Sequence, residues 1–201
     1  MDASIDGSEI KKTQQDKKIY ALGDSLTAWY QLPLDQSYPM QLEVLLMDAW
    51  YTYTVINGWK SGDTSAWLLA RVDWIIEEAN PWDLALLVIW ANDWLQSLSL
   101  DQLEDNIQDI VTTLQEKDIV PVIGGMQLPT NLDPVYRENF AALYSSISNK
   151  NNLSRIPFFL DEVAAIQSLN LADGIHPNKE WYAIIAKNIA TFLIENKLIT
   201  K

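Results

Sequence analysis

Three residues are of the types that a Ser-His-Asp site needs: Ser25 in Gly23-Asp24-Ser25-Leu26, and Asp173 and His176 in Asp173-Gly174-Ile175-His176-Pro177. Serine is a weak nucleophile and needs an adjacent base. An imidazole can take the hydroxyl proton and return it to the leaving group, while a carboxylate orients the ring and stabilises its protonated form. The chain has one histidine, so His176 is the single candidate for that base. Asp173 lies three residues earlier, a spacing that lets a carboxylate reach the ring within a tight turn. Each segment also has a plainer reading, Ser25 in a strand-to-helix turn and His176 as a surface histidine. The pattern G-x-S-x-G is absent, because Thr27 fills its last position. The α/β-hydrolase nucleophile elbow is therefore not supported.

Developing negative charge on a carbonyl oxygen needs preorganised donors, usually the largest catalytic contribution. Gly62 in Ser61-Gly62-Asp63-Thr64 can offer a backbone N–H to a close ligand, and Asn92 in Ala91-Asn92-Asp93 a side-chain NH₂. The alternatives are turn geometry at Gly62 and a helix cap at Asn92 or Asp93.

These residues must be positioned by elements. Residues 18–22, 51–56, 84–89, 119–123 and 156–159 read as strands, 84–89 as a continuous apolar run expected to be buried on both faces. Helices are expected over 36–48, 64–79 with Asp63 as N-cap, 101–117, 133–149 with Pro134 in its first turn, and 178–197. In the third of these, Leu103, Ile107, Ile110, Val111 and Leu114 share one face. In the last, Ile184, Ile185, Ile189, Phe192 and Leu193 are expected inward. Alternating strands and helices imply a parallel sheet wrapped on both faces. Open sheets of this kind hold their sites at the carboxyl ends of the strands, where Ser25, Gly62 and Asn92 fall.

Composition narrows the function. With 201 residues and 48% hydrophobic content, one domain is expected over 19–201, after a polar segment over 1–18. That segment lacks an apolar core of signal-peptide type. Two origins stay open for it: a native flexible start, or the remainder of an exported chain whose signal has been removed. No apolar run is long enough to span a bilayer. A formal net charge of −13 argues against nucleic acid as a partner. Zero cysteines and one histidine make a structural zinc site improbable and exclude thiolate chemistry. The expected partner is a small-molecule ester, with no cofactor and no metal.

Gly23-Asp24-Ser25-Leu26, Gly62, Asn92 and Asp173-Gly174-Ile175-His176-Pro177 resemble, in this order, the conserved blocks of the SGNH (GDSL) hydrolase family. The resemblance runs from about residue 18 to the end. It is closest to the branch of bacterial thioesterase I/lysophospholipase L1 and arylesterases, which Ser61-Gly62-Asp63-Thr64-Ser65, Leu69-Ala70-Arg71, Leu128-Pro129 and Pro157-Phe158-Phe159-Leu160 also resemble. The resemblance implies a three-layer α/β/α, flavodoxin-like sandwich around a five-stranded parallel sheet. It implies a Ser25–His176–Asp173 triad and an oxyanion hole of the Ser25 N–H, the Gly62 N–H and the Asn92 side chain. The implied substrates are short- to medium-chain carboxylic esters, aryl esters included, with thioesters or lysophospholipids as further candidates. A carbohydrate O-acetylesterase of the same superfamily, or a weakly active binding module with a tryptophan-filled cleft, are the rival readings.

The chain departs from that family in its tryptophans. It has 9 of them and only 7 glycines, where average usage would give about 14 glycines. Trp29, Trp50, Trp59, Trp67, Trp90, Trp94 and Trp181 stand where the branch usually has glycine. Trp82 lies in a turn-like Asn-Pro-Trp-Asp setting, and Trp74 is at a position where tryptophan is common. Asp133 also replaces a frequent glycine, in the loop after Leu128-Pro129 that is expected to border the acyl site. Two accounts of the tryptophans stand side by side. In one, they line the site, with Trp90, Trp94, Leu128 and Pro129 as substrate-pocket residues. In the other, the source gene encodes glycine there by UGA codons.

Overall fold

The computed structural model describes residues 17–27, 32–171 and 177–201. The expected polar segment therefore lies almost wholly outside the described residues. Five strands, β1 (Lys17–Gly23), β2 (Tyr53–Asn57), β3 (Leu84–Val88), β4 (Val120–Gly124) and β5 (Ser154–Ile156), form one sheet in the order β2-β1-β3-β4-β5. All four pairings are parallel. This is the flavodoxin-like order, whose reversal of direction falls between β1 and β3.

Parallel neighbours need crossovers, supplied by α1 (Tyr38–Asp48), α2 (Ser65–Leu69), α3 (Val72–Ile75), α4 (Ala91–Leu95), α5 (Leu100–Glu116) and α6 (Pro134–Asn151). The last helix, α7 (Lys179–Glu195), follows β5. Helices α1 and α7 pack together on one face. Helix α5 packs against α2, α3 and α6 on the other. Every residue of β3 is buried, as a central strand covered on both faces must be. The predicted apolar face of α5, Leu103 to Leu114, is buried in full.

The departures from expectation have local causes. The single helix expected over 64–79 is two short helices that part at Arg71, whose guanidinium turns back onto the Asp63 carboxylate. Asp63 is thus not the N-cap; Thr64 is, its hydroxyl accepting from the Trp67 N–H at 3.4 Å. The last strand lies earlier than 156–159, because Pro157 has no N–H to continue the ladder. In α7 the buried face is Trp181, Tyr182, Ile185, Ala186, Ile189, Ala190 and Leu193, so Ile184 and Phe192 sit at its border, partly exposed.

The last residues return to the start of the sheet. Lys17 Nζ donates to the Thr200 carbonyl at 3.3 Å and the Thr200 N–H to the Tyr53 hydroxyl at 3.2 Å. That junction is at the amino end of β1, opposite the candidate site. Among the described residues no helix is long and apolar enough to cross a membrane.

Candidate active site

Ser25 lies two residues beyond β1, in a turn closed by the Thr27 N–H donating to the Asp24 carbonyl at 3.1 Å. Gly23 permits this turn through close approach. A Cβ there would meet Thr27 Oγ1 and would lie 2.5 Å from the Val88 carbonyl. The Gly58 N–H bonds the Ala21 carbonyl and the Lys60 N–H the Gly23 carbonyl, so the loop after β2 is laced to the end of β1. Gly62, in that loop, has φ +85°, and a Cβ there would meet no atom within 4 Å. Its constraint is backbone conformation and not space.

Asn92 lies in the first turn of α4, a helix that sequence periodicity did not announce. Its Nδ2 donates to the Asp63 carbonyl at 2.9 Å, which joins the loop after β2 to the loop after β3. The next residue, Asp93, is 1% exposed. Its carboxylate accepts from the Ser65 N–H at 2.8 Å and from the Ser65 hydroxyl, and Asn106 Nδ2 donates to Ser65 Oγ at 2.9 Å. Burial pushes the Asp93 carboxyl up, against the two Ser65 donors that pull it down. Ser65 and Asn106 therefore fix the angle of α4, and with it Asn92. Sequence reading missed both, since pairs separated by 28 and 41 positions leave no local pattern.

Asp24 is the second buried carboxylate. It is fully buried, and its Oδ1 accepts the Leu26 N–H at 2.9 Å. Burial pushes its carboxyl up to about 6; the amides of Leu26, Ala91 and Trp90 pull it down, and the charge of Asp93 adds to the rise. Oδ2 nevertheless closes no hydrogen bond of good geometry.

Of the expected site residues, Ser25, Gly62 and Asn92 follow β1, β2 and β3, three neighbours in the sheet. Asp173 and His176 lie outside the described residues. Leu128 is buried in the core and Pro129 is exposed, while Trp90 and Trp94 are half-buried. Trp90 packs edge-on against Phe140 at 5.7 Å between ring centroids. A groove of about 520 Å³ among Lys18, Tyr20, Asn57, Trp59 and Arg71 has none of Ser25, Gly62 or Asn92 in its lining. Among the described residues no cluster of histidine, cysteine, aspartate or glutamate suits a metal ion.

The chain matches the GDSL-like Lipase/Acylhydrolase family over residues 21–184. It is 30% identical to an arylesterase of Vibrio mimicus over 184 residues, 92% of each chain. It is 32% identical to the thioesterase 1/protease 1/lysophospholipase L1 of Escherichia coli K12 over 170 residues, 84% of this chain and 79% of the other. The crystal structure of TesA superposes with a TM-score of 0.84 at 31% identity, covering 91% of this chain and all of that one.

Proposed function

Because the chain belongs to the GDSL-like lipase/acylhydrolase family and is a carboxylic ester hydrolase, we propose that it is a serine esterase with Ser25 as nucleophile. Its substrates are short- to medium-chain carboxylic esters, aryl esters included; thioesters and lysophospholipids fall within the same chemistry. One observation carries this reading: Ser25, Gly62 and Asn92 stand at the carboxyl ends of adjacent strands, on both sides of the switch between β1 and β3. That is where open α/β sheets bind their ligands.

Ser25 Oγ attacks the ester carbonyl carbon as His176 takes its proton, with Asp173 orienting the imidazole. The tetrahedral oxyanion accepts from the Ser25 and Gly62 N–H groups and from Asn92 Nδ2. An amide nitrogen carries two hydrogens; one of Asn92's is spent on the Asp63 carbonyl, and the other serves the oxyanion. Collapse breaks the C–O bond, and His176 returns its proton to the departing alcohol. Water then adds to the acyl-serine by the same route, releasing the acid and restoring Ser25. The charges of Asp24 and Asp93 take no part in bond making; they hold the donors in place.

The test is hydrolysis of a panel of p-nitrophenyl esters of increasing acyl length and of acetylated sugars, with wild type and Ser25→Ala. Turnover of the p-nitrophenyl esters should vanish in the variant while its circular dichroism is unchanged, since Ser25 is not a core residue. Wild-type turnover by Ser25→Ala would overturn the assignment.

A further inference from the structure

Trp50 and Trp82 have left-handed backbones, with φ of 65° and 72°. For a bulky residue this region is a genuine outlier. Both positions belong to turns whose geometry calls for glycine, and the two turns are different.

Trp50 follows the C-cap of α1, Ala49. The Tyr51 N–H reaches back to the Leu46 carbonyl at 2.9 Å and the Trp50 N–H to the Met47 carbonyl at 3.0 Å. This nested pair is a Schellman motif with Trp50 as its left-handed residue, the place that glycine usually holds. Trp82 lies in Asn80-Pro81-Trp82-Asp83, closed by the Asp83 N–H donating to the Asn80 carbonyl at 3.1 Å. Proline second and positive φ third describe a type II turn, which requires φ > 0 at its third residue and hence favours glycine. The indoles gain little in return, being 82% and 78% exposed. Of the five described glycines, by contrast, only Gly62 has positive φ. Ser97, Asp118, Asn152, Glu162, Ala165 and Lys197 also have positive φ, but Trp50 and Trp82 are the bulky residues placed there.

We infer that the protein made in its source carries glycine at positions 50 and 82, encoded by UGA codons that this source decodes as glycine. One codon accounts for both anomalies and for the excess of tryptophan over glycine. The same substitution extends to Trp90 and Trp94. The Trp90 Nε1 is buried without a hydrogen-bond partner, an orphan that glycine would not create. Glycine on both sides of Asn92 would remove two half-buried indoles from beside it. Resting on the esterase reading above, this makes positions 90 and 94 determinants of acyl-chain length. Trp74, in α3 with a helical backbone, carries neither anomaly and is expected to remain tryptophan.

Peptide mass spectrometry of the protein purified from its source decides the matter without reference to activity. Glycine at residues 50 and 82, with tryptophan at 74, is expected; tryptophan at 50 or 82 overturns the inference. Two further measurements use the tryptophan chain. The double variant Trp50→Gly, Trp82→Gly should melt at a higher temperature than its parent, and a lower melting temperature overturns the geometric premise. Trp90→Gly, Trp94→Gly should shift the p-nitrophenyl ester profile towards longer acyl chains. An unchanged profile in a still active variant overturns the role in chain length, while inactivity of both the parent and the Trp90→Gly, Trp94→Gly variant on every ester overturns the esterase reading.

Discussion

Replacing Asp24 by asparagine should change the pH dependence of stability by an amount the structure supplies. Burial raises this carboxyl from 3.8 to about 6 in the folded chain. Well below pH 4 the folded and unfolded states both hold the proton, and Asp24 contributes no difference between them. Between there and about pH 6 the unfolded state releases the proton while the folded state keeps it, so stability falls as pH rises. Above that window the folded chain carries a buried carboxylate at its full cost. A shift of roughly two units corresponds to about 3 kcal/mol. Asparagine keeps an oxygen for the Leu26 N–H but does not titrate. The difference in unfolding free energy, Asp24→Asn minus wild type, should therefore rise by about 2.5 kcal/mol between about pH 4 and 7. Urea unfolding at a series of pH values measures it. Asp93, also raised by burial, tilts both curves and largely cancels in the difference. A difference that stays flat across this range would refute the assignment of a raised pKa to Asp24.

Asn92→Ala should lower kcat by on the order of 10²–10³ with a small change in KM, in steady-state ester hydrolysis. Asp93→Asn should cost about 1.5–3 kcal/mol in chemical denaturation, from weakened bonds to Ser65. It should also lower kcat more than KM changes, because Asn92 loses its fixed angle. Gly23→Ala should cost about 1–3 kcal/mol by pressing a methyl onto the Val88 carbonyl, read from the denaturation midpoint.

The long elements were legible because their patterns are local. Leu103 to Leu114 repeat at helical spacing over several turns, and the run from Leu84 is apolar without interruption; each is buried as expected. Helix α4 was not legible, since its five residues are too few for periodicity and include polar Asn92 and Asp93. The break at Arg71 depends on its pairing with Asp63, eight residues earlier. Asp63 itself satisfied the composition rule for an N-cap, but its guanidinium partner won and Thr64 took the cap. At the candidate site, the placement of Ser25, Gly62 and Asn92 after β1, β2 and β3 was legible because each trails a strand. Their support by Ser65, Asn106 and Asp24 was not, because it runs between segments far apart in the chain.

The return of the last residues to the start of the sheet has a consequence for how the chain can be rewired. Lys17 and Thr200 are hydrogen-bonded neighbours, so a short bridge could join residue 200 to residue 17 without crossing the molecule. New ends could then open in an exposed connection such as the turn near Glu162. Covalent order along the backbone would change while every strand kept its neighbours. Because the join sits beneath the amino ends of β1 and β2, cargo tethered there would hang on the side away from Ser25 and leave the approach of an ester clear.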